Sequence, residues 1–141
     1  MSFTPGGLTN TQLRASAVPV TSVDNSPLAI TATAAANTGV TLTIPAAPGL
    51  FHYIDRIEIS RVATLALAGT ALLTVTTTNL PGSLAWSFGN AVGAGATSND
   101  YSASFSVPLK SSVANTDTTI VTPAPGANVV WRTNVFYHTG T

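Results

Sequence analysis

Apolar and polar residues alternate with a period of two through most of the chain beyond Pro27, and no segment keeps an apolar period of 3.6. Val40, Leu42 and Ile44 face one way in VTLTI and Thr41 and Thr43 the other, the signature of a half-buried strand. The same reading predicts strands in LAITATAA, FHYIDRIEISR, VATLALAG, LLTVTTT, LAWSF, YSASFSVPL, TTIV and NVVWRTNVFYH. In TATAAA the threonine alternation and the following Asn37 to Gly39 turn favour a strand over a short helix. Pro48-Gly49, Pro81-Gly82 and Pro125-Gly126 mark turns, and GNAVGAGATSND reads as a long surface connection. Within YSASFSVPL, Tyr101, Ala103, Phe105 and Val107 are expected inward; in the last strand Val129, Trp131, Thr133, Val135 and Tyr137 share one face.

About eight such strands, separated by Pro/Gly turns and long crossovers, predict an all-β fold: a jelly-roll β-sandwich of antiparallel strands. Residues 1–26 lack the alternation and are interrupted by Pro5, Gly6, Gly7 and Pro19, so they read as an extended N-terminal arm on a single sandwich domain over 27–141. A chain of 141 residues suits one core.

Charge changes the picture more than hydropathy does. Charged residues make up 7% of the chain, five acidic and five basic, against about 25% in an ordinary soluble domain. A neutral, charge-poor surface favours association, so assembly is the default expectation. Four of the charges, Asp55, Arg56, Glu58 and Arg61, fall in one stretch, FHYIDRIEISR. A strict period of two sets Tyr53, Asp55, Ile57 and Ile59 on one face and His52, Ile54, Arg56, Glu58 and Ser60 on the other. Arg56 and Glu58 then neighbour each other on the outer face. One reading is a solvated ion pair worth about 0 to 1 kcal/mol; another is an interfacial pair that sets register and rejects wrong partners.

Candidate chemistry is sparse. There are no cysteines, so neither a disulfide framework nor a thiolate is available. His52 and His138 lie at strand ends, where solvated side chains are expected. Asp55 and Glu58, three apart on a strand, are expected on opposite faces, which rules out a glycosidase-type pair. Asp24, Asp100 and Asp117 sit among Ser and Asn, where Asp caps its own backbone. G-x-S-x-G, H-E-x-x-H and P-loop motifs are absent. The expectation is a protein that is not an enzyme and takes no cofactor or metal. The five basic residues form no run, which argues against nucleic acid as a partner. MSFTPGGLTNTQLR lacks the pattern of a secretory signal, and VATLALAGTALL is too short for a membrane helix, so no membrane role is expected. Most aromatics fall on inward faces. Phe136 alternates away from Trp131 and is the best exposed candidate.

VTLTIPAAPGLFHYIDRIEISR, following an N-terminal arm, and the closing VVWRTNVFYHTGT resemble small virion proteins of tailed bacteriophages. The likeness is to their jelly-roll capsid decoration, or cement, proteins, such as that of a short-tailed Bordetella phage. It rests on strand texture over residues 30–141 and marks no contact residue. It implies a homodimer on the exterior of the virion capsid, made in the host bacterial cytoplasm, whose partner is the major capsid protein. Candidate contact residues are Thr4, Leu8, Leu13, Arg14 and Val18 on the arm and Arg56, Glu58, Arg61, Arg132 and Phe136 on the sheets. The alternative is a receptor-binding or fibre-tip domain that binds a cell-surface glycan through the loop near Gly89 to Asp100 and nearby aromatics.

Overall fold

The computed structural model describes residues 27–65, 72–82, 84–89 and 97–141, with 97–100 as backbone only. The arm, with Thr4, Leu8, Leu13, Arg14 and Val18, lies outside the described residues, as does most of VATLALAG beyond Leu65.

The described residues form eight strands: β1 (Leu28–Thr33), β2 (Val40–Ile44), β3 (Phe51–Ala63), β4 (Leu72–Thr78), β5 (Ala85–Gly89), β6 (Thr97–Lys110), β7 (Thr118–Thr122) and β8 (Val129–Gly140). They make two four-stranded sheets in the orders β1-β8-β3-β6 and β2-β7-β4-β5, and every pairing is antiparallel. The pairs β1 with β8, β2 with β7, β3 with β6 and β4 with β5 are nested, as if one long hairpin had been rolled up. The further pairs β3 with β8 and β4 with β7 close each sheet. This is jelly-roll connectivity, and it gives the sandwich its two inner faces.

Between the sheets lie Val40, Leu42, Ile44, Ile54, Ile57, Ile59, Leu73, Val75, Leu80, Ile120, Trp131 and Val135. Each such side chain contributes roughly 1.5 to 3 kcal/mol by leaving water. Trp131 is fully buried and satisfies its indole by donating from Nε1 to the carbonyl oxygen of Pro123 at 2.7 Å.

Turn chemistry follows the residues that tolerate positive φ. Leu50 N donates to Ala47 O at 3.0 Å, closing a turn in which Gly49 has φ 71°. The non-glycine residues described with positive φ are all asparagines: Asn37, Asn79, Asn115 and Asn128. Gly39 is required for a different reason. A Cβ there would sit 2.5 Å from the carbonyl oxygen of Thr122, where β2 leaves its turn against β7.

Two strands depart from strict alternation, and both departures correct sequence expectations. β3 carries a bulge between Ile54 and Arg56 against both of its neighbours. The extra residue resets the phase, so His52 and Ile54 before it, and Ile57 and Ile59 after it, are all buried. Tyr53 and Asp55 therefore do not share a face with Ile57 and Ile59. β6 begins at Thr97, inside the expected loop, and bulges more strongly: Ser104 pairs with Arg56 and Leu109 with Ile54. Val107, expected inward, is 78% exposed on this bulge. VATLALAG is not a strand of its own at its start, because Val62 and Ala63 complete β3.

Candidate interaction surface

The strand-borne charges are all in one sheet. β3 carries Asp55, Arg56, Glu58 and Arg61, β6 carries Asp100 and Lys110, and β8 carries Arg132. β2, β7, β4 and β5 carry no charged residue. The two outer faces of the sandwich thus differ in kind.

The outer face of β1-β8-β3-β6 is crossed by a line of polar contacts. Thr31 Oγ1 on β1 donates to Asn134 Oδ1 on β8 at 2.9 Å, and Asn134 Nδ2 donates to Glu58 Oε2 on β3 at 3.3 Å. Glu58 accepts in turn from Arg56 on the same strand, and this ion pair is part-exposed, 45% on the arginine side. Arg56 also lies over the ring of Phe136, its guanidinium carbon 5.5 Å from the centroid. Arg56 and Glu58 are neighbours on the outer face, as their spacing predicts, and Phe136 is half-buried beside them. Arg132 is exposed on the same face, paired in register with Ser60 and Thr33. The line holds Arg56 and Glu58 in fixed positions, so a partner docking on them meets side chains already ordered.

Arg61 stands apart from this group. It is 4% exposed, donates to the carbonyl oxygen of Gly89 at 2.8 Å and lies 5.3 Å from the Trp131 ring centroid. It follows Ile57 and Ile59 in unbroken alternation after the bulge, so it points inward with them, against the expectation that it is a contact residue.

A second cluster occupies the end of the same face near Phe51. Tyr53 stacks on His138 at 5.0 Å with planes 6° apart, and His138 Nδ1 lies 2.9 Å from Asp55 Oδ2. Lys110 extends over Phe51, 3.9 Å from its centroid, and toward Tyr53 at 5.4 Å. Reading by sequence did not bring these residues together, since Asp55 and His138 are 83 positions apart. The bulge also puts Asp55 on the face that bears Glu58, against expectation. Each carboxylate has its own partner there, His138 for one and Arg56 with Asn134 for the other.

His52 corrects another expectation: it is 1% exposed, not solvated. Asp117 corrects a further expectation: its Oδ1 accepts not from its own backbone but from Ala46 N, at 2.7 Å, in the loop that precedes β3. Among the described residues no three His, Cys, Asp or Glu side chains gather as metal ligands.

The fold is that of an eight-stranded jelly-roll sandwich with one charged and one charge-free face. No family model matches the chain, and no curated protein matches its sequence. Among solved structures, a chain of the virus-like particle of the giant freshwater prawn (Macrobrachium rosenbergii) extra small virus, determined by cryo-EM, is similar. Its identity is 16% over 97% of this chain and 92% of that one, with a TM-score of 0.36.

Proposed function

We propose that this chain is a structural virion protein: a capsid decoration, or cement, protein that binds the outer surface of a phage head and staples neighbouring major capsid protein subunits. The observation that carries the reading is the segregation of charge onto the outer face of β1-β8-β3-β6, where Arg56, Glu58 and Phe136 are held by mutual contacts and Arg132 is exposed on the same face. In a chain with so few charges, placing them on one face gives a docking partner an orientation to read and penalises wrong ones. The opposite sheet gives no such orientation. Repetition over a symmetric shell lets many modest contacts act together, so no single interface has to be tight. The arm of residues 1–26 adds a second attachment by pairing with backbone of a neighbouring subunit.

Cosedimentation of the purified protein with phage heads that lack it, followed by imaging of the pelleted shells, tests the reading. Saturable density between capsomers is the expected result, with Arg132→Glu weakening retention and deletion of residues 1–25 weakening it while the fold persists. Failure to bind heads at any stage of maturation would overturn the proposal. Binding of the isolated protein to glycans in that case would point to a receptor-binding domain instead.

A further inference from the structure

β1 is an open edge of the charged sheet. Among the described residues it pairs with β8 alone, in unbroken register from Leu28 to Thr33, and this stretch has no charge, proline or glycine. The opposite edge of the same sheet is guarded, since β6 carries a bulge, Pro108 and Lys110. An unguarded edge leaves a row of backbone N–H and C=O groups facing outward, ready to template another strand. The side chains of β1 are short of a neighbour as well. Leu28, Ile30 and Ala32 share its inward parity, yet Leu28 is 54% exposed and the other two are half-buried.

We infer that this edge takes the root of the chain's own N-terminal arm, residues 16–22 adding to β1 as a fifth strand of the sheet. The arm runs directly into β1, with Pro27 the one residue between Ser26 and Leu28. Residues 23–27, Val-Asp-Asn-Ser-Pro, then form the turn, a common length for a hairpin connection and rich in turn formers. The hydrophobic pattern selects the register. Counting back from that turn, Ser22 opposes Leu28, Val20 opposes Ile30 and Val18 opposes Ala32, so two valines cover the half-buried pair. Thr21, Pro19 and Ala17 face outward with Ala29, Thr31 and Thr33. A slip by one residue would turn both valines to solvent and set Pro19 and Thr21 inward.

Pro19 suits the outermost strand. Proline within a sheet is confined to edges, and there its missing N–H interrupts the row of donors offered to any further strand. The hairpin thus guards the edge that β1 leaves open. It also fixes where the rest of the arm departs: Ser16 stands past Thr33, whose register partner on β8 is Arg132. Residues 1–15 therefore leave the sheet beside Arg132, at the rim of the charged face, which is where a chain attaching to a neighbouring subunit has to start. That last consequence rests on the proposed function; the pairing of the arm with β1 does not.

The chain lacks cysteine, so paired thiols report the contact cleanly. Residues directly opposed in an antiparallel pair stand about 4.5 to 5.5 Å apart at Cα, within reach of a disulfide. In the dilute full chain, Pro19→Cys with Thr31→Cys, an outward pair that leaves the core untouched, should close within one molecule at least about tenfold faster than Pro19→Cys with Ser104→Cys on the guarded edge. Amide hydrogen exchange on the cysteine-free chain gives a second readout. The β1 amides that point away from β8 should exchange at least about tenfold more slowly than in the double variant Val18→Asp, Val20→Asp, whose substitutions lie outside the sandwich. Equal closure rates for the two thiol pairs, disulfides formed only between molecules, or β1 amides indifferent to the aspartates would overturn the inference. Neither measurement uses shells. Heads that fail to bind would leave the hairpin standing, and an unprotected β1 edge would sink it whatever the heads do.

Discussion

The Nδ1 atom of buried His52 lies 2.8 Å from the hydroxyl oxygen of Thr118, joining the start of β3 to the start of β7 across the sandwich. Its Nε2 lies 3.0 Å from the carbonyl oxygen of Pro45, which can only accept, so Nε2 carries the proton and Nδ1 accepts from Thr118. Thr118 Oγ1 accepts in turn from Asn79 Nδ2 at 3.1 Å. The backbone of His52 joins the same network, its N donating to Ser111 Oγ and its carbonyl accepting from Ser111 N. The imidazole thus ties the start of β3 to the end of β2 and the start of β7, and Asn79 and Ser111 extend the network to the ends of β4 and β6.

Replacing this imidazole removes both bonds and leaves a cavity. His52→Ala should lower stability by about 2 to 4 kcal/mol, from truncation of a buried ring and loss of partners for Thr118. Urea unfolding followed by tryptophan fluorescence measures it; a loss below about 0.5 kcal/mol would mean the network carries little of the fold.

Asn79 separates backbone from side-chain effects. It has φ 56°, and its amide donates to Val113 O, Thr116 O and Thr118 Oγ1 while its Oδ1 accepts from Val113 N at 2.8 Å. Asn79→Ala and Asn79→Gly both lose these bonds, but only Ala suffers in the left-handed region. Asn79→Ala should be the less stable of the two by about 1 kcal/mol in paired thermal or urea melts.

Thr133 should tolerate losing its hydroxyl. It is 0% exposed, and its Oγ1 has no hydrogen-bond partner among the described residues. Thr133→Val keeps the shape and removes an unsatisfied group, so stability should rise by about 1 kcal/mol or stay level, read as the urea midpoint. A clear fall would mean that the hydroxyl has a partner such as a buried water.

Arg56 and Arg61, on one strand, should behave oppositely. Arg56→Ala breaks a part-exposed ion pair and should change stability by about 1 kcal/mol or less while reducing retention on heads. Arg61→Ala removes a buried guanidinium bonded to Gly89 and set over Trp131, and should destabilise by about 2 to 4 kcal/mol. Equal losses in both variants would contradict the burial contrast.

Strands, turns and most of the core were legible from residue order because they follow from local rules. A period of two puts Leu42, Ile120 and Trp131 inside whatever the strands pair with, and Asn37, Gly49 and Gly82 tolerate the turn angles by themselves. The β3 bulge left a trace too: Ile54 and Ile57 are three apart, and two buried isoleucines at that spacing on a strand require an extra residue between them. Strict alternation missed it, and with it the burial of His52; Arg61 shares the phase of Ile57 and Ile59, so its inward position was legible. What residue order leaves open is whatever depends on which strands become neighbours. Asp55 meets His138, Thr31 meets Asn134, and the charges separate from the threonines only once β3 lies between β8 and β6 and β7 between β2 and β4. Local conformational preference sets the phase and length of a strand; pairing over a hundred residues is decided by closing all the hydrogen bonds and both faces of the core at once, which only the folded sandwich does.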